Sequence, residues 1–152
     1  RFPPDCLDPK IHSNNLIQSI LAKIEANAAG ADDALMLDTR GFVAETNATH
    51  VFIVEEGKVL TSHLKACPEG ITRATVLDLC ARNEIPCRVK DISLTEVYRA
   101  AEMFCTGTMG ELASVTMVDG RPVGAPEVPG PLTKRLSELY LKLTANSGEQ
   151  VV

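Results

Sequence analysis

Two short segments carry the residue types of an anion site. Gly70-Ile71-Thr72 stands where a loop enters a helix. The first backbone N–H groups of a helix have no internal partner, and the helix dipole places about half a positive charge there. Thr72 adds a hydroxyl donor. Thr106-Gly107-Thr108 follows an apolar strand. Its glycine lets a ligand approach the backbone, with a hydroxyl on either side. Taken singly, the first also reads as a plain cap and the second as a plain turn. Taken together, they suggest one phosphate held from two sides. Lys10, between Pro9 and a helix, offers an amine but on its own reads as solvated. Glu45, in Val43-Ala44-Glu45-Thr46-Asn47, reads on its own as a surface group or a turn acceptor. His12, His50 and His63 lack the helical two-histidine spacing of a metal site, so no metal is expected. A nucleophile elbow, a P-loop and a Gly-x-Gly-x-x-Gly run do not occur in the sequence.

The surrounding pattern shows what must position these groups. The first ten residues carry three prolines and read as an extended lead-in. Ser13 and Asn14 are good helix caps, and Leu16, Ile17, Ile20, Leu21 and Ile24 recur at helical spacing until Gly30. Ala34 to Leu37, Phe42-Val43 and Val51 to Val54 read as strands. Glu55-Glu56-Gly57-Lys58 is a hairpin turn into Val59-Leu60. A helix is predicted from Ile71 to about Asn83, an extended segment over Ile85 to Val89, and a short helix from Leu94, capped by Ser93. Met103-Phe104-Cys105 and Val115 to Val118 read as strands, and Leu132 to Leu143 as the last helix, entered through Pro129-Gly130-Pro131. The polar tail from about Asn146 is expected to fray. Helices interleave with strands joined by hairpins, which favours a mixed sheet in one α/β domain spanning residues 1–152.

Composition narrows the function classes. The 152 residues are 45% hydrophobic and 23% charged, the proportions of a globular chain. The net charge of −5 comes with no basic patch, so a nucleic-acid partner is not expected. No apolar run approaches the roughly 18 residues of a membrane span, and no membrane partner is expected. The five cysteines, Cys6, Cys67, Cys80, Cys87 and Cys105, are odd in number and show no two-residue spacing. They read as reduced, mostly buried thiols in an intracellular compartment, cytoplasmic by default. No signal or transit peptide is recognisable, and the chain begins with Arg1 instead of Met.

In order along the chain, these segments resemble the C-terminal domain of the fold-type IV pyridoxal-phosphate enzymes, the class IV aminotransferases. That group includes branched-chain and D-amino acid aminotransferases and aminodeoxychorismate lyase. The matching pieces are Lys10 with Asn14, Leu37-Asp38, Gly41 to Thr49, Gly70-Ile71-Thr72-Arg73, Glu102 to Leu112, and Gly130 to Lys134. The wording around Lys10 and around Thr106 to Leu112 is most similar to the D-amino acid aminotransferase branch of plant type.

The resemblance implies a mixed, barrel-like sheet with flanking helices, and pyridoxal 5′-phosphate as cofactor. Lys10 matches the lysine that forms the Schiff base and moves the proton of the substrate α-carbon. That work needs an amine beside positive charge or out of water. Glu45 matches the acid that pairs with the pyridine nitrogen. Ile71, Thr72 and Thr108 match the phosphate donors, and the backbone of Thr108 and Met109 the segment that meets the substrate carboxylate. The implied activity is transfer of an amino group from a D-amino or branched-chain amino acid to a 2-oxo acid, in a homodimer. The alternatives are the lyase reaction, or a folded but inactive cofactor-binding fragment. Three departures stand out. Asn15 replaces a tyrosine of the branched-chain pocket, and His50 stands where an asparagine is expected. The N-terminal domain of such enzymes, which supplies a phosphate-binding arginine and most substrate contacts, has no counterpart in these residues, and Arg1 does not replace that arginine. The surface that domain covers is expected to be apolar.

Overall fold

The computed structural model describes residues 1–11 and 13–147. His12 and the tail expected to fray beyond 147 lie outside the described residues. The elements run α1 (Ile17–Ala28), β1 (Leu35–Leu37), β2 (Val43–Thr46), β3 (His50–Glu55), β4 (Lys58–Thr61) and α2 (Ile71–Arg82). They continue with β5 (Cys87–Val89), α3 (Leu94–Arg99), β6 (Glu102–Gly107), β7 (Glu111–Ser114), β8 (Met117–Val118), β9 (Arg121–Pro122) and α4 (Pro131–Asn146).

The central sheet has the order β5-β4-β3-β6-β7. Only β4 and β5 pair in parallel, so the sheet is mixed, as the hairpins require. Alternation along β3 assigns each face its core. Val51 and Ile53 point to a cluster with Val43, Leu60, Ile92, Val97 and Met103. Phe52 and Val54 point the other way, against Val76, Leu79 and Cys80 of α2 and Leu136 of α4. Phe52 stacks on Phe104 of β6, with ring centroids 5.0 Å apart and planes parallel. The β1–β2 and β8–β9 ribbons and α3 cover the first face; α2 and α4 cover the second.

Several sequence expectations are corrected. Ser13 and Asn14 do not cap α1; the N-cap is Leu16, without a side-chain hydrogen bond. Ser13 Oγ instead accepts from the Asn15 N–H at 3.1 Å. The recurring apolar residues of α1 do not face the core: Ile17, Ile20, Leu21 and Ile24 are each about half exposed. Of the strand expected over Val115 to Val118, only Met117-Val118 forms one (β8); a separate strand, β7, precedes it. The sequence gives no clear signal for β7, because Glu111-Leu112-Ala113-Ser114 is short and alternates with exposed positions. The last helix continues to Asn146. All five cysteines are free; Cys67 and Cys80 are buried, Cys87 and Cys105 half-buried and Cys6 exposed. Among the described residues, no helix is long and apolar enough to cross a membrane.

Two helices, α2 and α4, begin after a glycine, Gly70 and Gly130. The N-terminus of α4 is closed from within. The Glu102 carboxylate of β6 accepts from the N–H groups of Leu132 (3.0 Å) and Thr133 (2.8 Å) and from the Thr133 hydroxyl (2.7 Å). A Cβ on Gly130 would sit 2.4 Å from Glu102 Cδ, so glycine is required for this approach. Glu102→Ala strips the cap and leaves buried Thr133 without its partner. Urea unfolding is expected to show a loss of about 1–2 kcal/mol, the usual worth of an N-cap. A variant as stable as wild type would show that water replaces the cap at no cost.

Candidate active site

The turn between β2 and β3 fixes the first two groups. Thr46 Oγ1 accepts from the N–H groups of Ala48 (3.2 Å) and Thr49 (2.9 Å), and Asn47 Oδ1 accepts from the Ala34 N–H at 2.8 Å. The Thr46 side chain bonds its own turn backbone and locks it, while Asn47 ties the turn to the segment before β1. Glu45 and His50 flank it, and both are buried. Glu45 is therefore neither a surface group nor a turn acceptor. His50 Nδ1 lies 3.4 Å from Glu45 Oε2, and the Arg1 guanidinium contacts Glu45 Oε1. Neither contact has hydrogen-bond geometry, and Glu45 Oε1, His50 Nδ1 and Arg1 Nε are buried without a partner.

The start of α2 lies against the same group. A Cβ on Gly70 would fall 2.3–2.4 Å from the His50 ring, so only glycine fits there. The Ala74 N–H bonds the Gly70 carbonyl at 2.9 Å, the first bond of the helix. The N–H groups of Ile71, Thr72 and Arg73 precede that bond, no side chain caps the end, and its first turn has no acid. Thr72 is buried and Ile71 exposed. Arg73 is buried: its Nη2 donates to the Ser62 carbonyl at 2.8 Å and its Nε is unpartnered. Ser62 in turn donates from Oγ to the Ala44 carbonyl at 2.5 Å, tying the end of β4 to β2.

The electrostatics favour an anion. Burial lowers the pKa of Arg1 and Arg73 and raises that of the Cys67 thiol. Burial, then Arg73 and Arg1, push His50 down to about 4, so the ring is neutral at neutral pH. The Arg1 guanidinium faces the Glu45 carboxylate, and Arg73 adds a second positive charge that acts on His50.

Lys10 is placed differently from what the resemblance implies. Its side chain is 57% exposed, and its Nζ pairs with Glu69 at 3.1 Å. More than half of the side chain meets water, and the partner shown is an acid. Glu69 directly precedes Gly70, so the amine stands at the entrance of α2. His50 pairs in register with Thr106, which brings the Thr106-Gly107-Thr108 segment to the same end of the sheet. The Thr106 hydroxyl is buried and unpartnered. Thr108 is exposed, and Met109 is fully so.

The chain therefore brings Glu45 and the start of α2 against His50, with Thr106 beside them, and pairs Lys10 with Glu69, next to Gly70. The residues overlooked in the sequence are Arg1, Cys67, Glu69 and Arg73. Arg73 sits one turn into a helix whose burial has no sequence signature, and Arg1 is a lone residue before prolines. Glu45, His50 and Cys67 place ligand atoms within 4.8 Å of one another, but the arginine contact on Glu45 opposes a cation there.

The class IV amino-transferase family model matches residues 1–118. The chain belongs to the class IV aminotransferases. It is 52% identical to branched-chain-amino-acid aminotransferase-like protein 2 of Arabidopsis thaliana, over 97% of this chain and 26% of that protein. It is 33% identical to D-alanine aminotransferase of Bacillus licheniformis, over 83% of this chain and 44% of that protein. The branched-chain amino acid aminotransferase of Thermobaculum terrenum, crystallised in its PLP form, superposes with a TM-score of 0.87 and 34% identity. That match covers 94% of this chain and 47% of the other. The chain thus spans half or less of these relatives. The mixed sheet with flanking helices is the fold of this class IV aminotransferase.

The donor set fits the cofactor of such enzymes. An uncapped helix start suits a phosphate, and a buried carboxylate suits a protonated ring nitrogen.

Proposed function

We propose that the chain is the cofactor-binding domain of a pyridoxal-phosphate-dependent aminotransferase that moves an amino group from an amino acid to a 2-oxo acid. The observation that carries this reading is the buried Glu45 carboxylate, set across His50 from the open start of α2. One end holds a cation and the other a phosphate. The bound cofactor supplies an electron sink for the substrate α-carbon. Glu45 keeps the ring nitrogen protonated. Ile71 and Thr72 hold the phosphate by backbone N–H groups and the Thr72 hydroxyl, with Thr108 as a second hydroxyl donor. Lys10, now paired with Glu69, would hold the cofactor through Nζ and supply the amine that exchanges the proton at the substrate α-carbon. The backbone at Thr108 and Met109 meets the substrate carboxylate. The exposed apolar stripe of α1 supports a homodimer or a covering domain in the whole protein.

The test is borohydride reduction of the cofactor-loaded, full-length protein, followed by peptide mapping. A single adduct on Lys10 is expected; an adduct scattered over several lysines overturns the reading. Parallel assays with branched-chain L-amino acids and with D-alanine then separate the two substrate classes. Thr72→Val removes a buried hydroxyl and is expected to weaken cofactor binding by about 1–3 kcal/mol, read by equilibrium dialysis. Unchanged affinity would remove Thr72 from the phosphate site.

A further inference from the structure

We infer that His50 is a positioning residue that fixes the Glu45 carboxylate and the start of α2 relative to one another, so that both ends of the cofactor are gripped at once. The inference rests on the reading above and adds a residue to it. The Nδ1 atom lies 3.4 Å from Glu45 Oε2 on β2. The opposite edge of the ring, Cδ2 and Nε2, fills the space where a side chain on Gly70 would go. The His50 backbone pairs with Thr106 in β6. The ring also lies by the Pro68 carbonyl and the Cys67 thiol, and the charges of Arg73 and Arg1 act on it.

This packing sets the ring's chemistry. It is boxed in by two guanidinium groups and by burial, which hold it neutral. A neutral imidazole has one N–H and one lone pair. A lone pair aimed at a carboxylate oxygen repels it, so the proton belongs on Nδ1, facing Glu45. The Pro68 carbonyl carries only a partial charge and competes less for that proton. The distance of 3.4 Å and the open geometry leave room for the contact to tighten once the ring nitrogen of the cofactor draws on Glu45. Arg1 then steadies Oε1 while His50 steadies Oε2. The N–H, not the bulk of the ring, is what Glu45 uses.

Bulk and N–H can be separated. His50→Phe keeps a planar ring against Gly70 and removes the donor; His50→Asn keeps an N–H near Glu45 and loses bulk. A space-filling role predicts that Phe is the better substitute, and a positioning role predicts Asn. In the full-length protein, His50→Phe is expected to weaken pyridoxal-phosphate retention by about 10–100-fold. Its visible circular dichroism band should shrink, because the cofactor ring is no longer held at one tilt. His50→Asn should restore both to within a few-fold of wild type. His50→Leu, which also lacks an N–H, replaces Phe should that variant not fold. Equal cofactor retention and equal dichroism in wild type and the Phe or Leu variant overturn the inference alone. Wild-type protein that takes up no cofactor overturns the functional reading as well.

Discussion

Lys10→Ala protein, loaded with pyridoxal phosphate and reduced with borohydride, is expected to carry no covalent adduct and to show no transamination. The fold should be untouched. Lys10 is more than half exposed, and its one ionic partner, Glu69, is exposed too. Surface pairs of this kind contribute little, so the urea midpoint should stay within about 0.5 kcal/mol of wild type. The variant thus separates chemistry from stability. Non-covalent cofactor should still bind, because Glu45 and the start of α2 remain. An adduct at wild-type yield in Lys10→Ala would assign the attachment to another lysine. Total loss of cofactor binding would show that Lys10 also shapes the pocket.

Glu45→Gln is expected to reduce the amino-transfer rate by about 10²–10³-fold, the usual cost of removing one preorganised charge from a buried site. The volume of the side chain is retained, so the loss reports charge. Stability should fall as well. Glu45 is 3% exposed and is the carboxylate that faces Arg1. Its removal leaves the half-buried Arg1 guanidinium without its counter-charge, and breaking a buried pair costs about 3 kcal/mol. The two readouts are independent: stopped-flow rates with the loaded protein, and urea unfolding without cofactor. A rate within tenfold of wild type would mean that Glu45 does not pair with the ring nitrogen. Unchanged unfolding would mean that Arg1 finds water instead.

How much of this was legible in the sequence depended on the range of each interaction. The β3–β4 hairpin follows from local turn chemistry at Glu55-Glu56-Gly57-Lys58, and the α3 cap from Ser93 with Glu96 three residues on. The mixed sheet followed from the alternation of short apolar runs and helices. Tertiary facts were not legible. The α1 stripe has helical period yet faces outward, because periodicity reports one apolar face and not what that face meets. Glu45 looks like any surface acid until the Thr46 turn folds it inward beside His50. Arg73 is a charged residue on a helix, and only the fold reveals that it is buried against Ser62. The role of Lys10 came from resemblance alone, and its exposed setting beside Glu69 could not be foreseen.

The contrast between the two glycine-led helices has a consequence for handling the protein. The Glu102 cap on α4 is tethered through the fold, so its effective concentration is far above that of any dissolved anion. The α2 start has no side-chain cap and no acid in its first turn, so an anion held there comes from solution. Sulfate or phosphate buffers will therefore compete with the cofactor at α2 while leaving α4 undisturbed. Non-coordinating buffers at low ionic strength are the conditions under which this chain shows its true appetite for cofactor.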